Sequence, residues 1–235
     1  QFVEHLRALL AAHPQLNPHQ LELEVLETSA LEDLAHVSRL IQECADMGVS
    51  FALDDFGTGY SSLSYLKRLP ASVLKIDQSF VRDMLDDPDD LAILDGVIGL
   101  ASAFRREVIA EGVETEDHGT LLLQLGCELG QGFGIARPME AERFAPWAHD
   151  WQPHALWRQT ARVHREDFAL LYVVVEHRAW CNAVAAYVRG ETGALSHQML
   201  HECRFGRWLN REGARRYGQH PLFVMMDTLH ERMHS

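Results

Sequence analysis

The sequence has little cysteine and no long apolar run. Its 235 residues include only four cysteines, at positions 44, 127, 181 and 203, and these show no paired spacing. Unpaired cysteines are typical of a reducing compartment, where a thiol is buried or binds a metal, so we expect a cytoplasmic protein and place Cys181 in the core. The longest apolar run covers residues 168–175. A transmembrane helix needs roughly 20 apolar residues, so no membrane span is predicted.

Basic residues are scarce in the first part of the chain. Residues 1–150 hold 10 Lys+Arg against 26 Asp+Glu, whereas residues 151–235 hold 11 against 8. Such an acidic part argues against DNA or RNA as a partner but permits a phosphorylated ligand that is bridged by metal ions. The change in charge and the linker-like residues 147–154 predict two domains, at residues 1–148 and 155–235.

Five short β-rich runs alternate with helical patterns in the first part. They cover residues 21–26, 49–53, 73–76, 107–109 and 127–132. Repeated βα order predicts a parallel sheet, and the spacing of about 27 residues per unit is close to the ~31 of an eight-unit barrel. The predicted fold class is therefore α/β, with five units of a TIM-type (β/α)8 barrel.

The second part is predicted to be an all-α helical bundle. No Pro or Gly interrupts residues 155–189, and Gly190 is a plausible helix end, so one long helix is expected there. Further helices are expected over residues 195–209 and 223–234.

The stretch DDFGTGYSSL, residues 54–63, carries the densest chemistry. Its two adjacent acids follow an apolar strand, and like charges repel one another there unless cations lie between them. Mg²⁺ and Mn²⁺ prefer oxygen ligands and suit phosphate-ester chemistry. The alternative interpretation is an Asp that caps a turn.

Four more stretches carry acidic or polar residues at strand ends. They are LELEVLE at residues 21–27, LKID at 74–77, IAEGVET at 109–115 and LGQGF at 129–133. Together the five resemble the EAL family of bacterial cyclic-di-GMP phosphodiesterases, from Gln1 to about Trp147. The resemblance implies hydrolysis of cyclic-di-GMP to pGpG with Mg²⁺ or Mn²⁺. The chain has Leu26 where family members usually carry Thr.

The resemblance also implies a role for each matched residue. The metal ligands would be Glu24, Asp54, Asp55 and Glu111. Lys75 would orient or polarise the attacking water and the developing phosphorane charge. Glu111 would in addition be a candidate general base.

Four further matched residues would support these groups. Asp77 would support the site around the lysine, and Gln131 would face the water or the substrate. Glu27 would brace the loop after the paired acids, with Glu114 as a more distant partner of the site. For both glutamates an ordinary surface or loop hydrogen bond is the alternative.

The family's Glu-Ala-Leu motif and a later metal-binding Asn belong upstream of Gln1, which itself starts inside an amphipathic helical pattern. We therefore expect a fragment without the first three of eight strands. Such a barrel cannot close. The expectation is that the intact parent is active and that the isolated chain is not.

The end of the chain, HERMHS, contains H-E-x-x-H, which a zinc peptidase uses. His230 and His234 can hold Zn²⁺, but a catalytic zinc needs a third ligand and an open position. His177 and Cys203 lie upstream, and three imidazoles with one thiolate form a closed structural or sensory set. The other interpretations are a surface H-x-x-x-H and a buried core cysteine.

His177, the C-x-x-G-x-W pattern that contains Cys203, and the final H-x-x-x-H resemble the CZB family of zinc-binding bacterial sensor domains, over residues 160 to 235. The resemblance implies that zinc, or oxidation of the Cys203 thiolate, changes the helical part and modulates the phosphodiesterase. Both families tend to form homodimers, so a homodimer is expected. A catalytically silent module that binds cyclic-di-GMP or responds to zinc is the alternative function.

Overall fold

The computed structural model describes residues 1–59, 63–191 and 204–234. Five strands form one sheet: β1 (Glu22–Leu26), β2 (Ser50–Phe56), β3 (Val73–Ile76), β4 (Glu107–Glu111) and β5 (Leu129–Gln131). Every neighbouring pair is parallel, and the strands lie side by side in chain order. Sequential parallel strands joined by helices are the arrangement of a (β/α) barrel.

Helices account for the remaining regular structure. They are α1 (Phe2–Ala12), α2 (Glu27–Glu32), α3 (Leu34–Ala45), α4 (Leu63–Arg68), α5 (Gln78–Asp83), α6 (Pro88–Ala103), α7 (Glu116–Leu125), α8 (Ala141–Asp150), α9 (Ala155–Gln159), α10 (Ala169–Val188), α11 (Arg204–Trp208), α12 (Ala214–Tyr217) and α13 (Pro221–His234). Short 3-10 turns cover Pro18–Gln20 and Arg165–Asp167, and a π-helical turn covers Leu209–Gly213. Within the described ranges, every helix is too short or too polar to cross a lipid bilayer.

Local sequence explains where several helices begin and end. The side chains of Asp33, Asp87 and Thr115 each accept a backbone N–H hydrogen bond at the start of α3, α6 and α7. Such caps satisfy donors that the first helical turn leaves free. Gly126 ends α7 at φ +95°, a left-handed conformation that favours glycine.

The predicted fold class is confirmed: five parallel strands with helices precede an all-helical part. All five strands occur where the sequence predicts them, but β2 runs three residues further, through Phe56, and β4 runs to Glu111. The central strand β3 is buried along its whole length, whereas the outer strands β1 and β5 are largely exposed. The core therefore centres on β2 and β3 and the helices that cover them.

The single helix predicted for residues 155–189 is wrong. Helix α9 ends at Gln159, and α10 begins ten residues later. Between them the Val163 N–H donates to the Gln124 carbonyl at 2.9 Å, which fixes the chain against α7. Trp157 adds a second anchor there, because its indole N–H donates to the Glu116 carbonyl at 2.8 Å. Contacts with α7 override the helical pattern of this segment.

Helix α10 belongs to both parts of the molecule. Its N-terminal half places Leu171, Tyr172 and Val175 in the same buried cluster as the sheet. Further along, Cys181 is exposed, so the expected core position of this thiol is wrong. Helices α11, α12 and α13 pack around a separate cluster, which consists of Phe205, Trp208, Leu209 and Phe223.

Two predicted helices of the second part have different outcomes. The final helix, expected over residues 223–234, is confirmed as α13 and begins two residues earlier, at Pro221. Of the helix expected over residues 195–209, only the residues from 204 onward lie in the described part of the chain. These form α11, and the helical backbone continues through the π turn and α12 to Tyr217.

Candidate metal centre and its surroundings

A β-bulge brings the paired acids Asp54 and Asp55 to one side of the sheet. Consecutive strand residues normally point to opposite faces. The pairing of β2 with β3 shifts register between Leu53 and Phe56, and Asp55 has φ +54°. One carboxylate oxygen from each of Asp54, Asp55 and Glu111 lies within 4.8 Å of the other two. The irregular backbone thus makes three oxygen ligands available to one ion.

The Lys75 ammonium is the centre of a carboxylate cluster. Its Nζ lies 2.7 Å from Glu24, 2.9 Å from Asp54 and 2.7 Å from Glu111. The lysine side chain is 5% exposed, whereas that of Glu24 is 51% exposed. Side chains from the neighbouring parallel strands β1, β2 and β4 therefore converge on one buried positive charge on β3.

The environment favours the charged form of this lysine. Burial lowers its pKa, but hydrogen bonds with Glu111, Glu24 and Asp54 outweigh burial and raise the pKa of Lys75 above its ordinary value. Burial also raises the pKa of Glu111, and the hydrogen bond from Lys75 opposes that shift. A permanently protonated lysine can stabilise negative charge but cannot remove a proton.

Asp55 and Asp77 form a second, repulsive pair beside this cluster. Burial, followed by the charges of Asp54 and Asp77, raises the pKa of Asp55. Asp77 also caps α5: its Oδ1 accepts the Ser79 N–H at 2.9 Å and a short hydrogen bond from the Ser79 hydroxyl. Ser79 is not among the residues predicted from the sequence, although a serine two residues after an Asp is a common capping pattern.

Glu27 is fully buried beneath the loop that follows Asp55. Its Oε2 accepts the Gly57 N–H at 3.0 Å. At Gly59 a Cβ atom would lie 3.3 Å from the Glu27 carboxylate, so the loop backbone approaches closely. Burial raises the pKa of Glu27, and the N–H groups of Gly57 and Gly59 oppose the shift. The glutamate therefore contacts the loop that follows Asp55, and its bracing role stays a prediction.

Two other predicted residues lie at the edge of the cluster. Gln131 pairs with Glu111 in the β4–β5 register, and both its side chain and that of Glu114 are exposed. Glu114 is held through its backbone, because its N–H donates to the His118 Nδ1 at 3.3 Å. The structure gathers Glu24, Asp54, Asp55, Asp77, Lys75 and Glu111, and it leaves the Glu114 carboxylate outside this group.

The donor set fits hard divalent cations. Three carboxylates, from Glu24, Asp54 and Glu111, contact the one ammonium of Lys75, and the Asp55 carboxylate lies beside those of Asp54 and Glu111. The excess negative charge and the oxygen ligands are what Mg²⁺ and Mn²⁺ require.

Comparison of the sequence with known protein families identifies the family of this chain. Residues 1–138 match the family model of the EAL domain, well over half of the chain. The chain belongs to the EAL domain family. Residues 177–235 match the chemoreceptor zinc-binding domain, CZB.

Two of the similar proteins are cyclic di-GMP enzymes of one bacterium. The bifunctional diguanylate cyclase/cyclic di-GMP phosphodiesterase MucR of Pseudomonas aeruginosa is 45% identical over 141 residues, which cover 60% of this chain and 20% of that protein. The cyclic di-GMP phosphodiesterase NbdA of the same organism is 42% identical over 119 residues, which cover 51% of this chain and 15% of NbdA. The EAL part thus spans at most a fifth of either relative.

Solved EAL structures share the fold. The PaMucR phosphodiesterase in complex with c-di-GMP superposes with a TM-score of 0.58 at 45% identity, covering 60% of this chain and 57% of that one. The manganese/cy-diGMP complex of Klebsiella pneumoniae BlrP1 gives a TM-score of 0.52 at 36% identity, covering 56% and 33%.

Beyond the EAL part, two of the four predicted zinc ligands lie close together. The rings of His177 on α10 and His230 on α13 stack with centroids 6.3 Å apart, and Phe205 packs edge-on against His230 at 5.2 Å. Cys203 and the His234 side chain lie outside the described residues, so the four-ligand set stays a prediction. The CZB match favours that closed set over the zinc peptidase interpretation.

His118, buried in the first turn of α7, is a further residue that was not predicted from the sequence. Its N–H donates to the Thr115 hydroxyl at 3.2 Å, and its ring accepts from the loop before the helix. This is the spacing of a capping box, with histidine where glutamate or glutamine is usual. The T-x-x-H pattern was the available signal.

Proposed function

We propose that the chain carries the strand-end carboxylates and the lysine of a metal-dependent phosphodiesterase that hydrolyses cyclic-di-GMP to pGpG. One observation carries the proposal: the buried Lys75 ammonium contacts Glu24, Asp54 and Glu111, next to the Asp54, Asp55 and Glu111 oxygens. The c-di-GMP complex of PaMucR and the manganese/cy-diGMP complex of BlrP1 support the substrate and the metal class.

The residues would divide the chemistry between them. Mg²⁺ or Mn²⁺ held by Glu24, Asp54, Asp55 and Glu111 would polarise the phosphodiester and lower the pKa of an attacking water. Lys75, held in its charged form, would stabilise the negative charge that develops on the phosphorane. Its buried position keeps this charge in a site of low dielectric, where the interaction is strongest.

Three further residues would complete the site. Glu111 is the candidate general base that the resemblance implies, and burial raises its pKa in the metal-free site. Gln131, beside it in the sheet register, would face the water or the substrate. Glu27 would hold the loop that follows Asp55 through the Gly57 N–H.

The function is tested with the full-length protein, Mn²⁺ and cyclic-di-GMP, with the release of pGpG followed by chromatography. Wild type should turn over, and Asp54→Asn should lose at least about 10²-fold in kcat. The Asp46→Asn variant serves as a control, since that acid is exposed at the end of α3. Failure of the wild type to cleave, or equal rates for wild type and Asp54→Asn, would reject the proposal.

We further propose that catalysis needs a complete barrel. The described residues supply five strands, and the outer two, β1 and β5, each have one strand neighbour. Leu26 on β1 and Leu129 on β5 are 46% exposed. The 235-residue chain by itself should therefore be inactive, and turnover by this chain alone would contradict that part of the proposal.

We also propose that a zinc site at His177, Cys203, His230 and His234 modulates the phosphodiesterase. Helix α10 supplies the physical connection. Beside His177, the Arg178 guanidinium lies 3.3 Å from the Leu85 carbonyl and 3.8 Å from Asp86, between α5 and α6. Helix α5 begins directly after Asp77, so movement of α10 reaches the candidate metal centre through one short helix.

Zinc regulation is tested on the full-length enzyme with saturating Mn²⁺ in each assay. Rates are compared with zinc added, after treatment with a zinc-selective chelator, and in the Cys203→Ala and His177→Ala variants. Both variants should lose the difference between zinc-loaded and chelated protein. Equal rates of the wild type in both states would reject regulation by this site.

A catalytically silent module that binds cyclic-di-GMP is the second candidate. The FimX EAL domain from Pseudomonas aeruginosa, solved bound to c-di-GMP, is 28% identical with a TM-score of 0.56, covering 60% of this chain and 57% of that one. Retention of Glu24, Asp54, Asp55, Lys75 and Glu111 favours the enzyme. Tight binding of cyclic-di-GMP without its hydrolysis would favour the silent module over the enzyme.

A homodimer and a cytoplasmic location remain predictions.

A further inference from the structure

His118 connects two segments that lead into the candidate metal centre. The residue is 5% exposed. Its Nδ1 accepts the Glu114 N–H at 3.3 Å, and the backbone of Arg82 on α5 lies close enough to the ring to raise its pKa. Because Nδ1 is an acceptor, the neutral ring carries its proton on Nε2, which can donate to the Arg82 carbonyl.

The loop held by this ring directly follows Glu111. Gly112, at φ +76°, packs so closely on the start of α5 that a Cβ atom would lie 2.7 Å from the Gln78 Cβ. On the other side the Val113 N–H donates to the Gln131 carbonyl at 3.0 Å. The loop is therefore clamped between α5 and β5, and the His118 ring completes its attachment to α5.

We propose that His118 is a positioning residue: its neutral ring fixes the loop after β4 to α5 and so holds the Glu111 carboxylate in place for metal binding. The inference deepens the proposed function and rests on it for the catalytic consequence. For the metal-binding consequence it rests on the geometry alone. Removal of a group bonded directly to a metal ligand typically changes metal affinity roughly 10- to 100-fold, and His118, which acts through the loop, should give an effect at the lower end.

The protonation state of the ring decides whether this attachment can form. A doubly protonated imidazole would turn a second N–H toward the Glu114 N–H and would break the bond that holds the loop. Burial lowers the pKa of His118 and keeps the ring neutral, although the charges of Glu114, Asp117 and Asp83 favour protonation. The bond is therefore retained at neutral pH and lost on acidification.

Mn²⁺ titration of the full-length protein by calorimetry tests the proposal without catalysis. His118→Leu keeps the bulk but neither ring nitrogen, and it should weaken Mn²⁺ binding roughly tenfold. His118→Gln supplies an acceptor and a donor and should restore nearly wild-type affinity. His149→Leu is the matched control, because that histidine is exposed on α8.

Folding and function are separated in the same experiment. Circular dichroism gives the folded fraction of each variant, and affinities are compared for folded protein only. Wild-type affinity in folded His118→Leu, or equal weakening in His118→Gln, would overturn the positioning role. Absence of cyclic-di-GMP hydrolysis in wild type would reject the proposed function, while the Mn²⁺ affinities would still decide about His118.

The pH dependence of Mn²⁺ affinity distinguishes the proposed role of the His118 ring from a purely structural one. As the pH falls below about 6.5, the ordinary pKa of histidine, the wild type should lose more Mn²⁺ affinity than His118→Gln, because an imidazole can gain a proton and a glutamine amide cannot. Parallel curves for the two proteins would contradict the proposed role of the neutral ring.

Discussion

The Lys75 Nζ lies 2.7 Å from the Glu111 Oε1, across the neighbouring strands β3 and β4. We predict opposite effects of Lys75→Met on binding and on catalysis. Removal of the ammonium leaves Glu24, Asp54 and Glu111 without their shared cation, so Mn²⁺ should bind more tightly. Hydrolysis should fall by roughly 10²–10³-fold, because no fixed charge stabilises the transition state.

Calorimetry and single-turnover kinetics check the two effects separately. The control is Lys67→Met, since Lys67 is exposed on α4 and is the other lysine of the sequence. Weaker Mn²⁺ binding in Lys75→Met would show that the lysine organises the ligands rather than competing with the ion.

A second prediction concerns the stability of the metal-free protein. Burial and the charges of Asp54 and Asp77 raise the pKa of Asp55 in the folded state. The stability that this group contributes is fully present below its unfolded pKa of about 3.9 and is lost as the pH rises through the raised folded value. Asp55→Asn should therefore melt roughly 2–4 °C above wild type at pH 7 and equally with it near pH 3.5.

Addition of Mn²⁺ should reverse the order, because the wild type then gains binding energy that the variant lacks. Differential scanning calorimetry at both pH values, with and without Mn²⁺, measures the effect. Asp46→Asn should show no such reversal. A lower Tm of metal-free Asp55→Asn at pH 7 would show that other contacts of Asp55 outweigh the repulsion among the carboxylates.

The buried glutamate beneath the loop gives a third prediction. Glu27→Leu leaves the Gly57 N–H without its acceptor and should lower the free energy of unfolding by about 1–3 kcal/mol. Glu27→Gln retains an acceptor and removes a buried charge, so its stability at pH 7 should equal or exceed that of the wild type. Urea unfolding measures both, with the exposed Glu32→Gln on α2 as control. Equal stability of the Leu and Gln variants would exclude the bracing role.

Arg178 offers a fourth prediction. Arg178→Ala removes the contacts of α10 with the Leu85 carbonyl and Asp86. The zinc-dependent change in cyclic-di-GMP turnover should shrink at least about threefold, while zinc affinity is retained. Arg189→Ala, directly after the C-terminal end of α10, removes a local pair with Glu191, the ion pair of Arg189 within the described residues, and should respond as wild type does. An unchanged zinc response in Arg178→Ala would place the connection elsewhere.

The sequence identifies the residues of the site better than their conformations. Strand ends and paired acids can be predicted because apolar runs and the order of the motifs are visible in the sequence itself. The bulge at Asp55 is not readable, since a left-handed φ depends on the register between β2 and β3. The break after Gln159 cannot be predicted from the sequence for a similar reason, because contacts of Trp157 and Val163 with α7 override a helical pattern.

The continuity of α10 matters for any truncation that separates the two parts of this protein. The CZB match begins at residue 177, in the middle of Ala169–Val188. A cut there would halve a continuous helix and separate His177 from Leu171, Tyr172 and Val175, which pack with the sheet. The start of the family match is therefore not a structural domain boundary. A zinc titration of the excised tail would describe a peptide whose first ligand no longer lies on a helix that is anchored to the sheet.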